Sequence, residues 1–191
     1  MLYKTIYADP PWMEYGGGKI KRGADRHYPL MDTEEIKALP VQNLADPEGC
    51  HLYLWTTNNF LPDALEVVKA WGFEYVTIIT WTKDRKGLGQ YYRGLTEHCI
   101  FARTKKILPY KLLDGKRQQG VTGFYAPKGE HSQKPEEMRE MIERVSYGPR
   151  IELFAREHHP GWAAWGNEIT DAVPFAGGGG VMLEVFFFEA A

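Results

Sequence analysis

The chain has 191 residues, 43% of them apolar and 25% charged, with a formal net charge of −2. Those values exclude a mostly disordered chain, predict one compact domain with a full core, and on the charge total alone argue against a strongly basic nucleic-acid binder. Two cysteines exclude a disulfide framework and suit a reducing, cytoplasmic compartment. The opening MLYKTIYADPPW lacks the pattern of a signal peptide, and no stretch reaches the ~20 apolar residues of a membrane span, so no membrane partner is expected.

In chain order, Thr5 to Ala8 is a short β-branched and aromatic run that predicts a buried strand, stopped by Pro10 and Pro11. Met13 to His27 is rich in glycine and charge and reads as a loop. Asp32-Thr33-Glu34-Glu35 places cap-type residues before a short helix that ends near Pro40. Cys50 to Thr56 predicts a second strand. Apolar residues at 61, 64, 65, 68 and 71 predict a helix, with Gly72 closing it.

Tyr75 to Trp81 predicts a third strand and His98 to Arg103 a fourth. Around the fourth, from Lys83 to Arg117, stand ten basic residues against three acidic ones. They are mixed with Tyr91, Tyr92 and Tyr110 and with Gly87, Gly89 and Gly94, a composition that suits a loop following a phosphate backbone. The plain alternative is a solvated surface loop. Pro135 to Val145 predicts an amphipathic helix with Met138, Met141, Ile142 and Val145 on one face, and Arg150 to Ala155 a fifth strand.

Strands alternating with helices predict an α/β domain over residues 1–170, with a mainly parallel sheet and helices on both faces. Residues 171–191 form a separate tail, in which Gly177 to Gly180 precede the apolar run VMLEVFFFEAA.

The chemistry concentrates at Asp9-Pro10-Pro11-Trp12. In open parallel sheets, ligands bind outside the carboxyl ends of strands, where Asp9 is expected. A carboxylate, two rigid proline carbonyls and an indole face suit a planar group bearing an amine, such as a nucleobase. Asp9 takes one N–H, a proline carbonyl takes the other, and an aromatic ring stacks on the base. The bland reading is a strand that ends in an Asp-Pro turn. Cys50-His51 and His98-Cys99 lack zinc-ligand spacing, so no metal is expected.

Asp9-Pro10-Pro11-Trp12 resembles the signature of the MT-A70 family of adenine-N6 methyltransferases. Further segments resemble that family in order: His27 to Met31, Leu52 to Trp55, Trp71 to Phe73, Ile79 to Lys83, and Glu97 to Cys99. His131 to Pro135, Arg150 to Arg156, and Trp165 to Glu168 follow, so the resemblance covers about residues 3–169. It implies a Rossmann-like methyltransferase fold with permuted motif order, in which the catalytic strand precedes the cofactor-binding strand. It also implies S-adenosyl-L-methionine as methyl donor and adenine N6 in nucleic acid as acceptor.

Under that resemblance Asp9, Pro10, Pro11 and Trp12 form the catalytic set. Asp9, Lys134, Phe154, Arg156, His158, Asn167 and Glu168 are expected around the cofactor, with Lys134 on its carboxylate and Asn167 and Glu168 at its ribose. Trp12, Tyr28, Lys83, Arg85, Lys86 and Glu97 are expected to face the substrate. Ser132 is a candidate cap for the helix behind Lys134.

A short stand-alone core resembles bacterial or phage members, which implies DNA before RNA. RNA adenine or cytosine N4 are alternative acceptors. A non-catalytic nucleic-acid-binding subunit is the reading from another class, although such subunits typically lose the acid that Asp9 supplies. A domain this short leaves target recognition to its loops or to a second subunit, whether another copy of the chain or a different partner.

Overall fold

The computed structural model describes residues 1–13, 30–129 and 133–169. Tyr28, Ser132 and the Gly-rich tail lie outside the described residues. Among those described, seven strands form one sheet: β1 (Thr5–Ala8), β2 (His51–Thr56), β3 (Glu74–Thr82), β4 (Thr96–Arg103), β7 (Gly123–Tyr125), β8 (Arg150–Leu153) and β9 (Trp162–Trp165). Their order is β7-β3-β4-β2-β1-β8-β9. A separate hairpin joins β5 (Leu112–Leu113) to β6 (Lys116–Arg117).

β1 lies inside the sheet, parallel to β2 on one side and β8 on the other, and all four of its residues are buried. That double burial is why TIYA reads as an unbroken apolar run. β8 pairs in parallel with β9, and β3 with β7. β4 is antiparallel to both β2 and β3, the exception in the mainly parallel sheet.

Side chains alternate across each strand and build two cores. On one face Ile6, Leu52, Leu54, Ile100 and Ile151 pack with Ile36 of α1 (Thr33–Ala38) and with Val67 and Val68 of α2 (Leu61–Ala70). On the other, Tyr7, Tyr53, Trp55, Ile79 and Trp81 pack with Met138, Met141 and Ile142 of α3 (Glu136–Val145). Each such side chain contributes about 1.5–3 kcal/mol by leaving water. Helices on both faces and a late β8 beside an early β1 agree with the permuted Rossmann-like arrangement. α1 opens with a reciprocal capping box, Glu35 N–H to Asp32 Oδ1 at 2.8 Å and Asp32 N–H to Glu35 Oε2 at 2.7 Å.

Two expectations need correction. The fifth strand ends at Leu153 rather than Ala155, because Phe154 turns into the left-handed region (φ 62°). The basic stretch from Lys83 to Arg117 is not one surface. β4 crosses the sheet in the middle of it, so residues 83–95 lie at the carboxyl edge of the parallel strands and residues 104–117 start from the opposite edge. There Lys111 donates to the Glu143 carbonyl at 2.5 Å, near the C-terminal end of α3, where a cation is favourable.

β9 and β7 were not expected from sequence. WAAW and GFY are too short to carry a periodic signal, and β9 exists because β8 offers it a free edge.

Candidate active site

Pro10 and Pro11 have no N–H to give a ladder, so β1 stops and Asp9 stands at its carboxyl end. Alternation places Asp9 on the Tyr7 face, the side covered by α3. The chain beyond it is tied down by its own backbone. Trp12 N–H donates to Pro10 O at 2.9 Å, Met31 N–H to Pro11 O at 2.9 Å, and Met13 N–H to Met31 O at 3.1 Å. Both proline carbonyls therefore already have one partner, and each keeps one lone pair for another donor.

Trp12 departs from its expected role. Its ring is only 6% exposed, stacks on Phe60 at 5.5 Å, and donates its indole N–H to the Trp55 carbonyl at 3.0 Å. It anchors the Asp-Pro-Pro segment to β2 and does not offer a free face for base stacking.

Asp9 is joined to three other charges in alternating order. Lys134, just before α3, places its ammonium 2.8 Å from Asp9 Oδ2 and 3.4 Å from Glu97 Oε2. Glu97 in turn pairs with Lys83. Beneath the lysines lie indole rings, Trp55 at 5.3 Å from Lys134 Nζ and Trp81 at 4.8 Å from Lys83 Nζ, both favourable cation–π contacts. The strand pattern produces this row: Trp81 and Glu97 are register partners on β3 and β4, and Trp55 lies on the strand between Glu97 and Asp9.

Lys83 and Glu97 therefore do not face the substrate as free charges. Their side chains are 12% and 20% exposed and are committed to each other and to Lys134. Arg85 and Lys86 are exposed, with Arg85 beside Asp84 at 3.1 Å.

The electrostatics follow from burial and counter-ions. Burial pushes the Asp9 carboxyl above its ordinary value, and the Lys134 ammonium only partly offsets this. At Lys134 burial acts against the cation, but two carboxylates more than compensate, so its pKa is raised. Glu97 is buried too, yet Lys134 and Lys83 together hold its carboxyl below the usual value. Lys134 is thus firmly charged, Glu97 firmly ionised, and Asp9 the easiest member to protonate.

The ends of β8 and β9 supply a second cluster along the same edge. Phe154, strained in the left-handed region, sets its ring edge-on to Trp165 at 5.4 Å. Ala155 N–H donates to Trp165 O at 3.0 Å. Gly166 lies so close that a Cβ there would sit 2.0 Å from Ala155 O, so only glycine lets the two chain ends meet. Asn167 and Glu168 follow, both exposed; Arg156 is half-buried and His158 exposed. A cleft of about 190 Å³, lined by Ala126, Pro127, Gln133, Lys134 and Pro135, opens beside the lysine. It is smaller than the ~300 Å³ of the smallest usual ligand pockets and is not a site by itself.

The profile of the MT-A70 family matches residues 3–168, nearly all the described chain. The chain belongs to the MT-A70 family. It is 31% identical over 188 residues to the type II methyltransferase M.MunI of Mycoplasma sp, covering 88% of this chain and 78% of that protein. It is 30% identical over 178 residues to the N(6)-adenosine-methyltransferase catalytic subunit METTL3 of Homo sapiens, covering 87% of this chain and 28% of that protein. A probable N(6)-adenosine-methyltransferase MT-A70-like protein of Oryza sativa subsp. japonica is 30% identical over 179 residues, with 23% of it covered. The chain thus spans most of the Mycoplasma relative and about a quarter of these eukaryotic ones. It is a methyltransferase of this family.

Of the residues expected around the cofactor, Asp9, Phe154, Asn167 and Glu168 follow the carboxyl ends of β1, β8 and β9, and Lys134 reaches Asp9 there, whereas His158 lies on the segment that returns to the opposite edge to start β9. Sequence reasoning missed Glu97 as the counter-ion of Lys134, and the Trp55 and Trp81 rings beneath the lysines. Strand alternation carried the signal: Trp55, Trp81, Glu97 and Cys99 all fall on the Asp9 face once the register of β4 is known. His98 points to the other face, bonded to Thr80 Oγ1 at 3.0 Å and Asn58 Oδ1 at 3.0 Å. Cys50 and Cys99 sit in different cores, so the two Cys-His pairs do not converge.

Proposed function

We propose that this chain transfers a methyl group from S-adenosyl-L-methionine to the N6 amine of adenine in nucleic acid, with DNA as its substrate. The observation that carries the reading is the Asp9 carboxylate at the end of β1, 2.8 Å from the half-buried Lys134 ammonium, in a chain of the MT-A70 family.

The chain's donor set fits the methyl donor. Lys134 is a half-enclosed ammonium suited to an amino-acid carboxylate. Asn167 and Glu168 are exposed at the end of β9, where an amide and a carboxylate would hold ribose hydroxyls. Phe154, Arg156 and His158 would flank the same molecule. When bound, S-adenosyl-L-methionine supplies an electrophilic methyl group on a sulfonium that leaves as a neutral thioether.

Asp9 and the Pro10 carbonyl each accept one N–H of the adenine amine. This draws the nitrogen lone pair out of conjugation with the ring and turns it toward the methyl group. As the nitrogen becomes positive, Asp9 stabilises it from a partly buried site where a fixed charge counts for more than in water, and the methylated nitrogen then releases its extra proton to solvent to give the neutral product. Lys134 and Glu97 keep Asp9 in place. Trp12 holds the backbone that carries both acceptors.

Support for DNA comes from the extent of the match: most of the length of a Mycoplasma type II methyltransferase, against about a quarter of the much longer eukaryotic N(6)-adenosine-methyltransferases. Incubation with labelled S-adenosyl-L-methionine and DNA or RNA oligonucleotides, followed by nucleoside mass spectrometry, tests the reading. N6-methyldeoxyadenosine is expected. Methylation of RNA alone overturns the choice of DNA, and label on cytosine overturns the base.

A further inference from the structure

The connection from β3 to β4 is longer than a hairpin needs, and it is built. Lys83 N–H donates to Leu95 O at 2.9 Å, Gly87 N–H to Gly94 O at 2.6 Å, and Gly94 N–H to Leu88 O at 3.0 Å. Arg93 spends its guanidinium inside the loop, on Gly87 O at 2.9 Å. Asp84 accepts from Lys128 N–H at 2.8 Å and so pins the base of the loop to the segment leading toward Lys134. Gly89 passes so close to Tyr92 that a Cβ there would lie 1.9 Å from the Tyr92 carbonyl.

This ordered frame presents what a folded protein ordinarily hides. Tyr91 and Tyr92 are each 93% exposed and Leu88 is 74% exposed. Exposed large apolar groups side by side on a fixed frame mark an interaction surface. Arg85 and Lys86, exposed on the same loop, point to a negatively charged partner, and the one acid of the loop, Asp84, is already bonded to Arg85 and to the Lys128 N–H. The loop leaves the same carboxyl edge as Asp9. β3 and β4 lie two to three strands from β1, about 10–14 Å at ordinary strand spacing, a reach of a few nucleotides from the reacting base.

We propose that residues 83–95 form a nucleic-acid-binding arm, on which Tyr91 and Tyr92 stack against unpaired bases flanking the target adenine while Arg85 and Lys86 meet the adjoining phosphates. This rests on the methyltransferase reading above and adds its substrate form: a single strand or a locally opened duplex. Every base has a face to stack, so the arm supplies affinity with little sequence preference.

The test uses the full chain with S-adenosyl-L-homocysteine bound and a fluorescein-labelled single-stranded oligonucleotide containing adenine, read by anisotropy. The double variant Tyr91→Ala/Tyr92→Ala is expected to bind at least about 30-fold more weakly. Tyr91→Phe/Tyr92→Phe is expected to bind like wild type, because stacking needs the rings and not the hydroxyls. Calorimetric affinity for S-adenosyl-L-homocysteine should be unchanged in both, which also reports intact folding. Arg85→Ala/Lys86→Ala should lower the slope of log affinity against log salt by about one per lost phosphate contact.

Unchanged oligonucleotide affinity in the alanine variant overturns the arm. So does a change of oligomeric state in that variant by light scattering, which assigns the tyrosines to a protein contact. Wild-type methylation, measured in parallel, separates the two readings: no methylated base in any oligonucleotide overturns the function, whereas methylation with indifferent tyrosines overturns only the arm.

Discussion

The Lys134 ammonium lies 2.8 Å from Asp9 Oδ2 and 3.4 Å from Glu97 Oε2, so one cation serves two carboxylates drawn from strands that are not sheet neighbours. Burial raises the pKa of Asp9 despite Lys134 and Arg156, while Lys134 and Lys83 together hold Glu97 below its ordinary value. Asp9 is thereby the most easily protonated member of a row whose other charges are fixed.

Asp9→Ala removes the acceptor proposed at the reacting nitrogen and leaves Lys134 paired with Glu97. Loss of about 10²–10³-fold or more in kcat is expected, with the far-UV circular dichroism spectrum unchanged. Single-turnover methylation of an oligonucleotide is the measurement; a rate near wild type removes Asp9 from the mechanism.

Glu97→Gln leaves Lys83 and Lys134 facing a neutral amide and gives Lys134 wholly to Asp9. The Asp9 pKa should then fall, moving the acid limb of kcat/KM to lower pH. Roughly 10-fold weaker binding of S-adenosyl-L-homocysteine is also expected, since Lys134 loses one of the two groups that aim it. A purely structural role for Glu97 lowers Tm without moving the acid limb, and the pH profile tells the two apart.

Trp12→Phe keeps an aromatic ring against Phe60 but deletes the N–H that reaches the Trp55 carbonyl. The expected cost is about 1–3 kcal/mol, or some 3–10 °C in Tm for a domain of this size. Oligonucleotide affinity should change little, because the ring is already buried. A selective loss of oligonucleotide binding with an unchanged Tm contradicts the anchoring role.

His51 makes a pH-dependent contribution away from the site. Burial, with Arg103 nearby, lowers its pKa to about 4, and its Nδ1 lies 2.8 Å from Ser146 Oγ, which also meets the Tyr53 hydroxyl at 2.8 Å. The folded pKa is below the unfolded value of ~6.5. The unfolded chain therefore binds the proton first, and stability present above pH ~6.5 is lost as pH falls toward 4, by up to about 3 kcal/mol. His51→Gln should flatten that part of the curve of urea-unfolding free energy against pH.

Much of the molecule was legible in the sequence because local rules decide it. Pro10 and Pro11 end β1 wherever the chain folds, Asp32 and Glu35 cap α1, and the apolar face at Met138, Met141 and Ile142 settles α3 on the sheet. The order of motifs, with Asp9 early and the Arg150–Leu153 strand late, was likewise readable from residues alone. Tertiary structure decided what depends on distant neighbours. The register of β4 placed Glu97 on the Asp9 face, and its antiparallel direction brought Glu97 to the carboxyl edge and divided the basic stretch between two edges of the sheet. Packing against Phe60 turned Trp12 from a supposed base platform into an anchor. Composition lists charges and rings but not their partners; only the fold spends Lys83 on Glu97 and Arg93 on Gly87, and leaves Tyr91 and Tyr92 in solvent.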